Sequence, residues 1–346
     1  MAHQGSAALR GKTCLVCGGA GFMGSNFIRF LLAREPLVRV INLDALTYAG
    51  NRENVRGLPA PRHRFVRGDI ADAKLVSRLM RGADFVVNFA AETHVDRSIH
   101  KDARDFLHSN VLGVHSLLEA LRASPRVKKL IQISTDEVWG EVPLSFKRKF
   151  NERSPFRPNS PYAASKASGD LLCRAYWKTY GVPVIVSHSV NNFGPRQFPE
   201  KLIPFFTLRA MKNEPLPLYG DGKNVRDWLF VDDHSSAILL LLQRGEPGSV
   251  YAISRGEEHA NIEIARTILG ILGKPETLVT FVKDRPAHDR RYSVNSSRLR
   301  ALGWKPRGSF DERLRDTIRW YLHNKAWVEK VLKKHRNINE HIGLSD

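Results

Sequence analysis

Cysteine is scarce in this chain, three in 346 residues. That is too few for a disulfide-stapled secreted scaffold and suits a reducing compartment. Cys14 and Cys17 have the C-x-x-C spacing, but they lie inside the apolar run Cys14-Leu15-Val16-Cys17 and no second ligand pair exists. The pair reads as buried strand residues, and no metal is expected. Long apolar runs are missing too. Ala237-Ile238-Leu239-Leu240-Leu241-Leu242 is the most apolar stretch, far short of the roughly 20 residues a membrane helix needs. Met1 to Lys12 has no apolar core that would serve as a secretory signal, so a cytoplasmic location is expected.

Acidic residues are outnumbered, 35 against 54 basic ones, for a net charge of +19. Such a charge can signal nucleic-acid binding. The basic residues are scattered, however, apart from Lys147-Arg148-Lys149 and Lys333-Lys334-His335-Arg336, and no nucleic-acid motif is present. A solvated basic surface that also attracts an anionic small molecule is the plainer reading. Neither a membrane nor a specific nucleic acid is expected as a partner.

A hydrophobic fraction of 42% with 26% charged residues is that of a globular protein. The length suits a domain plus a smaller lobe. Strands are expected at Lys12 to Cys17, Val38 to Leu43, Arg64 to Val66, Phe85 to Phe89, Leu130 to Ile133 and Val182 to Ser187, with helices between them. This alternation predicts a Rossmann-type, doubly wound parallel sheet in an α/β fold. Beyond Asn191 the pattern turns irregular and rich in Pro and Gly. The expected division is a dinucleotide-binding domain over 10–190 with a returning segment near 225–255. A smaller C-terminal α/β substrate lobe takes 191–224 and 256–330, and a basic tail takes 331–346. There is no internal repeat and no low-complexity linker.

Gly18, Gly21 and Gly24 follow the first strand and open a helix. The first glycine permits a tight turn, the second lets backbone N–H groups approach a pyrophosphate, and the third lets the helix pack closely on the sheet. Asp44, at the end of the next strand, can accept hydrogen bonds from a ribose 2′-hydroxyl and would repel a 2′-phosphate, so NAD is favoured over NADP.

Tyr162 and Lys166, in the order Tyr-x-x-x-Lys, share one face of a helix expected from Tyr162 to Tyr180 with Pro161 at its start. A nearby ammonium is expected to lower the phenol pKa, so that the tyrosine takes an alcohol proton during oxidation. Asp136 and Glu137 stand side by side after Thr135, at the end of an apolar strand. The set could oxidise an alcohol and then eliminate water beside the new ketone: Glu137 can remove the proton the ketone acidifies, Asp136 can protonate the departing hydroxyl, and Thr135 can hydrogen-bond the oxygen at the oxidised carbon. Two carboxyls with opposite jobs need opposite protonation states, which different environments can supply. Arg226 offers a planar fork for a diphosphate.

Several segments carry a closer resemblance: Leu43 to Asn51, Ala90 to Ile99, Ser134 to Gly140, Ser160 to Ala167, Asn191 to Pro195, Pro199 to Pro204, Tyr219 to Gly222 with Val225 to Trp228, and Asp284 to Tyr292. Through them the chain resembles the dTDP-glucose 4,6-dehydratase family of the extended short-chain dehydrogenase/reductase superfamily, from about the first strand to Trp327. The resemblance implies an NAD-dependent hydro-lyase acting on a nucleotide-diphosphate sugar. It implies catalysis by Thr135, Asp136, Glu137, Tyr162 and Lys166. The implied cofactor contacts are Gly18, Gly21, Phe22, Met23, Gly24, Asp44, Ala45, Leu46, Thr47, Asp69, Ile70, Phe89, Ala90, Ala91, Thr93, Ser109, Tyr162, Lys166 and Asn192. The implied substrate contacts are Thr93, Ser134, Thr135, Asn191, Lys201, Leu202, Pro217, Tyr219, Arg226, Asn261, Arg285, His288 and Tyr292. A homodimer through a four-helix bundle is implied as well, and apolar residues such as Leu112, Leu117, Leu118, Leu121, Leu171, Leu172 and Tyr176 fit helices with more than one apolar face.

The sequence departs from the family pattern at Cys17, Ala45, Thr93, Trp139, Val190 and Phe193. Trp139 and Val190 are expected nearest the sugar or base. Two other readings stand beside this one. A UDP-sugar epimerase or decarboxylase of the same superfamily is disfavoured by the presence of both acids. A non-catalytic NAD-binding scaffold is disfavoured by the intact catalytic set.

Overall fold

The computed structural model describes residues 8–100, 102–146, 148–284, 286 and 288–334. Its first strand, β1 (Thr13–Cys17), shows how the core is organised. All five residues are buried, as expected of a central parallel strand covered on both faces. Cys14 and Val16 enter one apolar cluster, Leu15 and Cys17 another. These two clusters are the two faces of the sheet, separated by the two-residue period of the strand.

The chain continues through α1 (Phe22–Arg34), β2 (Arg39–Asp44), β3 (His63–Arg67), α2 (Ala73–Met80), β4 (Phe85–Asn88), α3 (Val95–His100), α4 (Arg104–Leu107), α5 (Gly113–Arg122), β5 (Lys129–Thr135), α6 (Pro161–Tyr180) and β6 (Val184–Ser189). A π-helical turn, His108–Leu112, leads into α5. Then come β7 (Asn191–Phe193), α7 (Leu202–Met211), β8 (Leu216–Tyr219), β9 (Val225–Phe230), α8 (Val231–Arg244), β10 (Val250–Ile253), β11 (Glu258–Ala260), α9 (Asn261–Leu272), β12 (Val279–Val282), α10 (Ser297–Ala301), α11 (Phe310–His323) and α12 (Lys325–Lys334).

Local chemistry sets several of these boundaries. Ser160 caps α6 by accepting from Ala163 N, Pro161 occupies the first turn, and Gly181 ends the helix in the left-handed region at φ 67°. Asp72 caps α2, and a Ser309/Glu312 capping box starts α11.

The main sheet is parallel, in the order β10-β6-β5-β4-β1-β2-β3. Helices α1 and α8 cover one face, and α2, α5 and α6 the other. The order reverses between β1 and β4, and a doubly wound sheet opens its ligand crevice at such a point. The smaller lobe contains the β11-β9-β7 and β12-β8 sheets and its own core, in which Phe193, Phe206, Trp228, Ile264, Phe310 and Leu314 pack together.

The segment expected to return to the first domain, 225–255, divides at Phe230. Strand β9 stays in the lobe beside β7 and β11, while α8 and β10 rejoin the main sheet. The expected basic tail begins inside α12, and its remainder, 335–346, lies outside the described residues. Among the described residues no helix is long and apolar enough to cross a membrane. Cys14 and Cys17 are buried in β1, and Cys173 is a buried free thiol on α6.

Candidate active site

The glycine turn between β1 and α1 has the shape the sequence suggests. Gly18 sits at φ +74°, and a Cβ there would lie 2.5 Å from Ala90 N. A Cβ on Gly24 would lie 2.3 Å from Gly18 O. Both positions therefore exclude a side chain, and Gly24 is the helix-packing glycine. A Cβ on Gly21 would meet only Gly18 O, at 3.3 Å, so its other side is open. Gly21 is also the N-cap of α1 and supplies no side-chain cap. The first-turn N–H groups, those of Phe22 and Met23 included, suit a bound anion.

A crevice beside this turn is lined by Gly18, Gly21, Asp44, Ala45, Thr47, Asp69, Ile70, Phe89, Ala90, Ala91 and Ser109. Asp44 holds the loop after β2. One carboxylate oxygen accepts from Ala20 N at 2.8 Å and the other from Leu46 N at 2.7 Å. Burial raises its carboxyl, and backbone N–H groups act against that rise. Each oxygen keeps a second lone pair for a ribose hydroxyl. Asp69 accepts from Ala71 N and pairs with His108 Nε2 at 2.9 Å, at the mouth of the π turn. The glycine cradle, the open helix end and the buried carboxylate together fit a dinucleotide without a 2′-phosphate.

A second cleft lies toward the smaller lobe. It brings together Thr93, Asn191, Lys201, Leu202, Pro217, Tyr219, Arg226, Asn261, His288 and Tyr292, with Glu137 at its wall. Arg226 is 5% exposed. Its guanidinium donates to the carbonyls of Val225 and Asp289, both at 2.8 Å, and stacks 4.2 Å from the Tyr292 ring centre. Its charge acts on the Asp136 carboxyl, and the cleft presents a fixed, buried cation to an anionic ligand.

The acid pair sits on a short 3₁₀ turn, Asp136–Trp139, at the end of β5. Thr135 caps that turn by accepting from Glu137 N at 3.3 Å, and its hydroxyl donates to Asp136 Oδ1 at 3.3 Å. The Asp136 side chain is buried, and its Oδ2 has no partner. Burial, then the charge of Glu137, holds its carboxyl well above the usual range, with Arg226 pulling the other way. Glu137 is less buried and faces the substrate cleft. One carboxyl is therefore kept as the acid, and its neighbour opens to a ligand.

Tyr162 stands beside this pair, where Thr135, Asp136 and Glu137 all act on its phenol. The expectation that Lys166 lowers the phenol pKa is not met. Burial, followed by the charge of Glu137, raises Tyr162. Lys166 is itself buried and donates to Ile133 O at 2.7 Å, and burial lowers its ammonium.

Other expected contacts are placed elsewhere. Ser134 turns away from the cleft and donates to Asp170 Oδ2 at 2.6 Å. Asn192 lines the substrate cleft rather than the cofactor crevice, and its amide donates to Ser189 Oγ and Val190 O. Thr93 likewise belongs to the substrate cleft. Leu46 lies outside the crevice lining and adopts φ +57°, with its N–H on Asp44. Trp139 and Val190, expected near the sugar, are buried in the main core. Neither departure touches the cleft, because each side chain points back into the sheet. Arg285 lies outside the described residues.

The sequence reading missed a junction between the two cavities. Tyr48 donates to Glu200 Oε1 at 3.2 Å, His94 Nε2 lies 3.3 Å from Glu200 Oε2, and Arg97 stacks on Tyr48 at 4.4 Å while contacting Glu92. Asn110, on the π turn, holds both the N–H and the carbonyl of Glu92. The signal was available, since Ala91-Glu92-Thr93-His94 and Pro199-Glu200-Lys201 are polar segments beside expected contacts.

The described geometry agrees with comparisons to known proteins. A family model described as GDP-mannose 4,6 dehydratase matches residues 15–317. The low-salt glycan biosynthesis protein Agl12 of Haloferax volcanii is 48% identical, covering 89% of this chain and 98% of that one. A dTDP-glucose 4,6-dehydratase of Xanthomonas campestris pv. campestris is 47% identical over 92% of this chain and 96% of its own. The crystal structure of DesIV, a dTDP-glucose 4,6-dehydratase from Streptomyces venezuelae solved with NAD bound, superposes with a TM-score of 0.88 at 47% identity, over 92% of this chain and 99% of that one. The chain thus belongs to the GDP-mannose 4,6 dehydratase family and, within it, is a relative of the dTDP-glucose 4,6-dehydratases.

Proposed function

We propose that this protein is an NAD-dependent hydro-lyase that converts dTDP-glucose, or a closely related nucleotide hexose, into its 4-keto-6-deoxy sugar. The observation that carries the proposal is the acid pair. Asp136 is buried, with its carboxyl pushed well above the usual range by burial and then by the charge of Glu137, and Glu137 opens to the cleft. An epimerase needs only to oxidise and re-reduce C4, and has no use for such a pair.

Bound NAD supplies reversible two-electron chemistry at the sugar. Gly18, Gly21, Asp44, Asp69 and Ser109 hold it, and Gly24 lets α1 approach. Tyr162 takes the C4 hydroxyl proton, and Thr135 hydrogen-bonds the C4 oxygen. Glu137 removes the C5 proton, acidified by the C4 ketone. Asp136 gives its proton to the C6 hydroxyl as water leaves; the hydride taken from C4 then returns to C6 and a proton to C5, which gives the 4-keto-6-deoxy sugar and leaves the cofactor as it began. Arg226 binds the diphosphate, and Asn191, Lys201, Tyr219, Asn261 and His288 position the nucleotide and sugar. The lobe over 191–224 and 256–330 is the nucleotide-sugar domain, and 10–190 the cofactor domain.

We also assign the protein to a cytoplasmic homodimer. Leu107, Leu112 and Leu171 are more than half exposed around α5 and α6, whereas Leu117, Leu118 and Leu121 are buried on the sheet side. A four-helix bundle with a second copy would cover the exposed set.

The test is to incubate the purified protein with dTDP-, UDP-, CDP- and GDP-hexoses and follow 4-keto product. Formation of a 4-keto-6-deoxy sugar, fastest from dTDP-glucose, is expected. Inversion at C4 without loss of water would overturn the reading in favour of an epimerase.

A further inference from the structure

Behind the reacting side chains lies a second polar set that the scheme above does not use. Asp170 follows Lys166 by one turn on α6, and each is 4% exposed. Asp170 Oδ2 accepts from Ser134 Oγ at 2.6 Å and lies 2.9 Å from His188 Nε2. Ser134 and His188 face each other across the β5–β6 ladder. Trp139, from the turn that carries the acid pair, sets its ring edge-on to His188 at 4.6 Å. One carboxylate thus joins β5, β6 and α6 where two of them carry reacting groups.

The electrostatics give this arrangement a role. A buried ammonium is costly unless an opposite charge is near, and leaving one unpaired is strongly destabilising. Lys166 Nζ donates to Ile133 O, which offers a dipole but no charge. Burial draws the Lys166 ammonium down, and Asp170 is the first group acting against that. Around this set stand Cys173 on α6, which acts on Lys166 in the same direction as Asp170, His188 on β6, paired with Asp170, and Asp136 and Glu137 beyond β5, whose charges act on Tyr162.

We propose that Asp170 is a positioning residue for proton transfer at Tyr162: its carboxylate, held by Ser134 and His188, is the counter-charge that keeps Lys166 an ammonium against β5. The inference rests on the dehydratase reading for its kinetic consequence, and on the one-turn spacing and shared burial of Lys166 and Asp170 for its structural one.

Two measurements on the holoenzyme test it. The first is the pH profile of kcat for Asp170→Asn. A nearby opposite charge moves a titration by about 1–3 units. The alkaline limb should therefore shift to lower pH by about one unit or more, with a loss that grows toward alkaline pH, reaches about tenfold or more above both limbs, and narrows at the acid end. Ser134→Ala, which removes a hydrogen bond but no charge, should leave that limb in place. The second measurement covers an Asp170→Asn protein that folds poorly. Adding Lys166→Met removes the orphaned cation, so the double variant should melt at a higher temperature than Asp170→Asn alone. A uniform loss of activity with both limbs fixed, an equal limb shift in Ser134→Ala, or a double variant no more stable than the single one would overturn the proposal. If the native protein dehydrates no hexose nucleotide, the dehydratase reading fails, and the melting comparison still decides the role of Asp170.

Discussion

Replacing Asp136 by Asn separates catalysis from stability, because the two should move in opposite directions. The substitution keeps shape and leaves an oxygen to accept the Thr135 hydroxyl, which now bonds Oδ1 at 3.3 Å. It removes the proton that the C6 hydroxyl needs. General acid catalysis contributes about 10²–10⁴-fold, or roughly 2.7–5.5 kcal/mol of barrier, so dehydration should slow by at least two orders of magnitude. C4 oxidation and C5 proton abstraction rely on Tyr162 and Glu137 and should persist. In deuterated buffer, NMR should find deuterium entering C5 faster than water leaves C6.

Stability should change the other way. In the folded protein Asp136 is raised well above its unfolded value, chiefly by burial. Between those two values the native state binds more protons than the unfolded chain, so stability falls as pH rises through that window. Each unit of elevation costs about 1.4 kcal/mol once the pH exceeds both values. Asn carries no titrating proton, so Asp136→Asn should melt at or above the native temperature at pH 7, and its advantage should grow as pH rises from about 4. Near-native dehydration by this variant, or a fall in melting temperature alongside the fall in activity, would refute the buried-acid assignment.

Glu137→Gln should still oxidise C4 but lose C5 exchange, so reduced nicotinamide should accumulate on the enzyme, with dehydration down about 10²-fold or more; spectrophotometry of the enzyme–substrate mixture checks both. Gly24→Ala would place a Cβ 2.3 Å from Gly18 O, so α1 must move off the turn, and bound NAD measured after gel filtration should fall sharply while the fold is retained. His234 is fully buried and, among the described residues, has no hydrogen-bond partner on either nitrogen; burial pushes it down to about 3 from 6.5. Its contribution to stability is complete above pH 6.5 and is lost as pH falls toward 3, by about 1.4 kcal/mol per unit, so His234→Leu should flatten the melting curve between pH 6.5 and 5 by roughly 2 kcal/mol. Light scattering at micromolar concentration should give twice the chain mass, and Leu112→Asp with Leu171→Asp should reduce it to one.

How far the sequence reveals this site depends on whether the deciding interaction is local. The β1–turn–α1 unit is local: a short apolar run, glycines at fixed offsets and an acid at the end of β2 are each set by near neighbours, and they fold as their pattern suggests. The acid pair and Tyr162-x-x-x-Lys166 are likewise visible as residue types at fixed spacing. Orientation is a step harder, although part of it can still be read. Side chains alternate along a strand, so if Thr135 faces the ligand, Ser134 must turn away, and it does so toward Asp170. Protonation is harder again. The Tyr-x-x-x-Lys spacing suggests that Lys166 lowers the phenol, whereas burial and then the charge of Glu137 raise it, and burial depends on every element packed around the pair. The π turn at His108–Leu112 shifts a helical face by one residue, which periodicity over so short a stretch does not show. Least legible is the junction of Tyr48, His94 and Glu200, drawn from three loops widely spaced along the chain. Its carboxylate looks like any solvated loop acid until the smaller lobe closes over it and buries it. Where the lobes meet, a polar residue's role is fixed by a partner that no window of the sequence contains. Strand β9 makes the same point at the level of the fold. Val225–Phe230 has the composition of a main-sheet strand, and only its pairing with β7 and β11 assigns it to the substrate lobe. There it holds Arg226 at the cleft wall, on the opposite side of the site from the glycine turn.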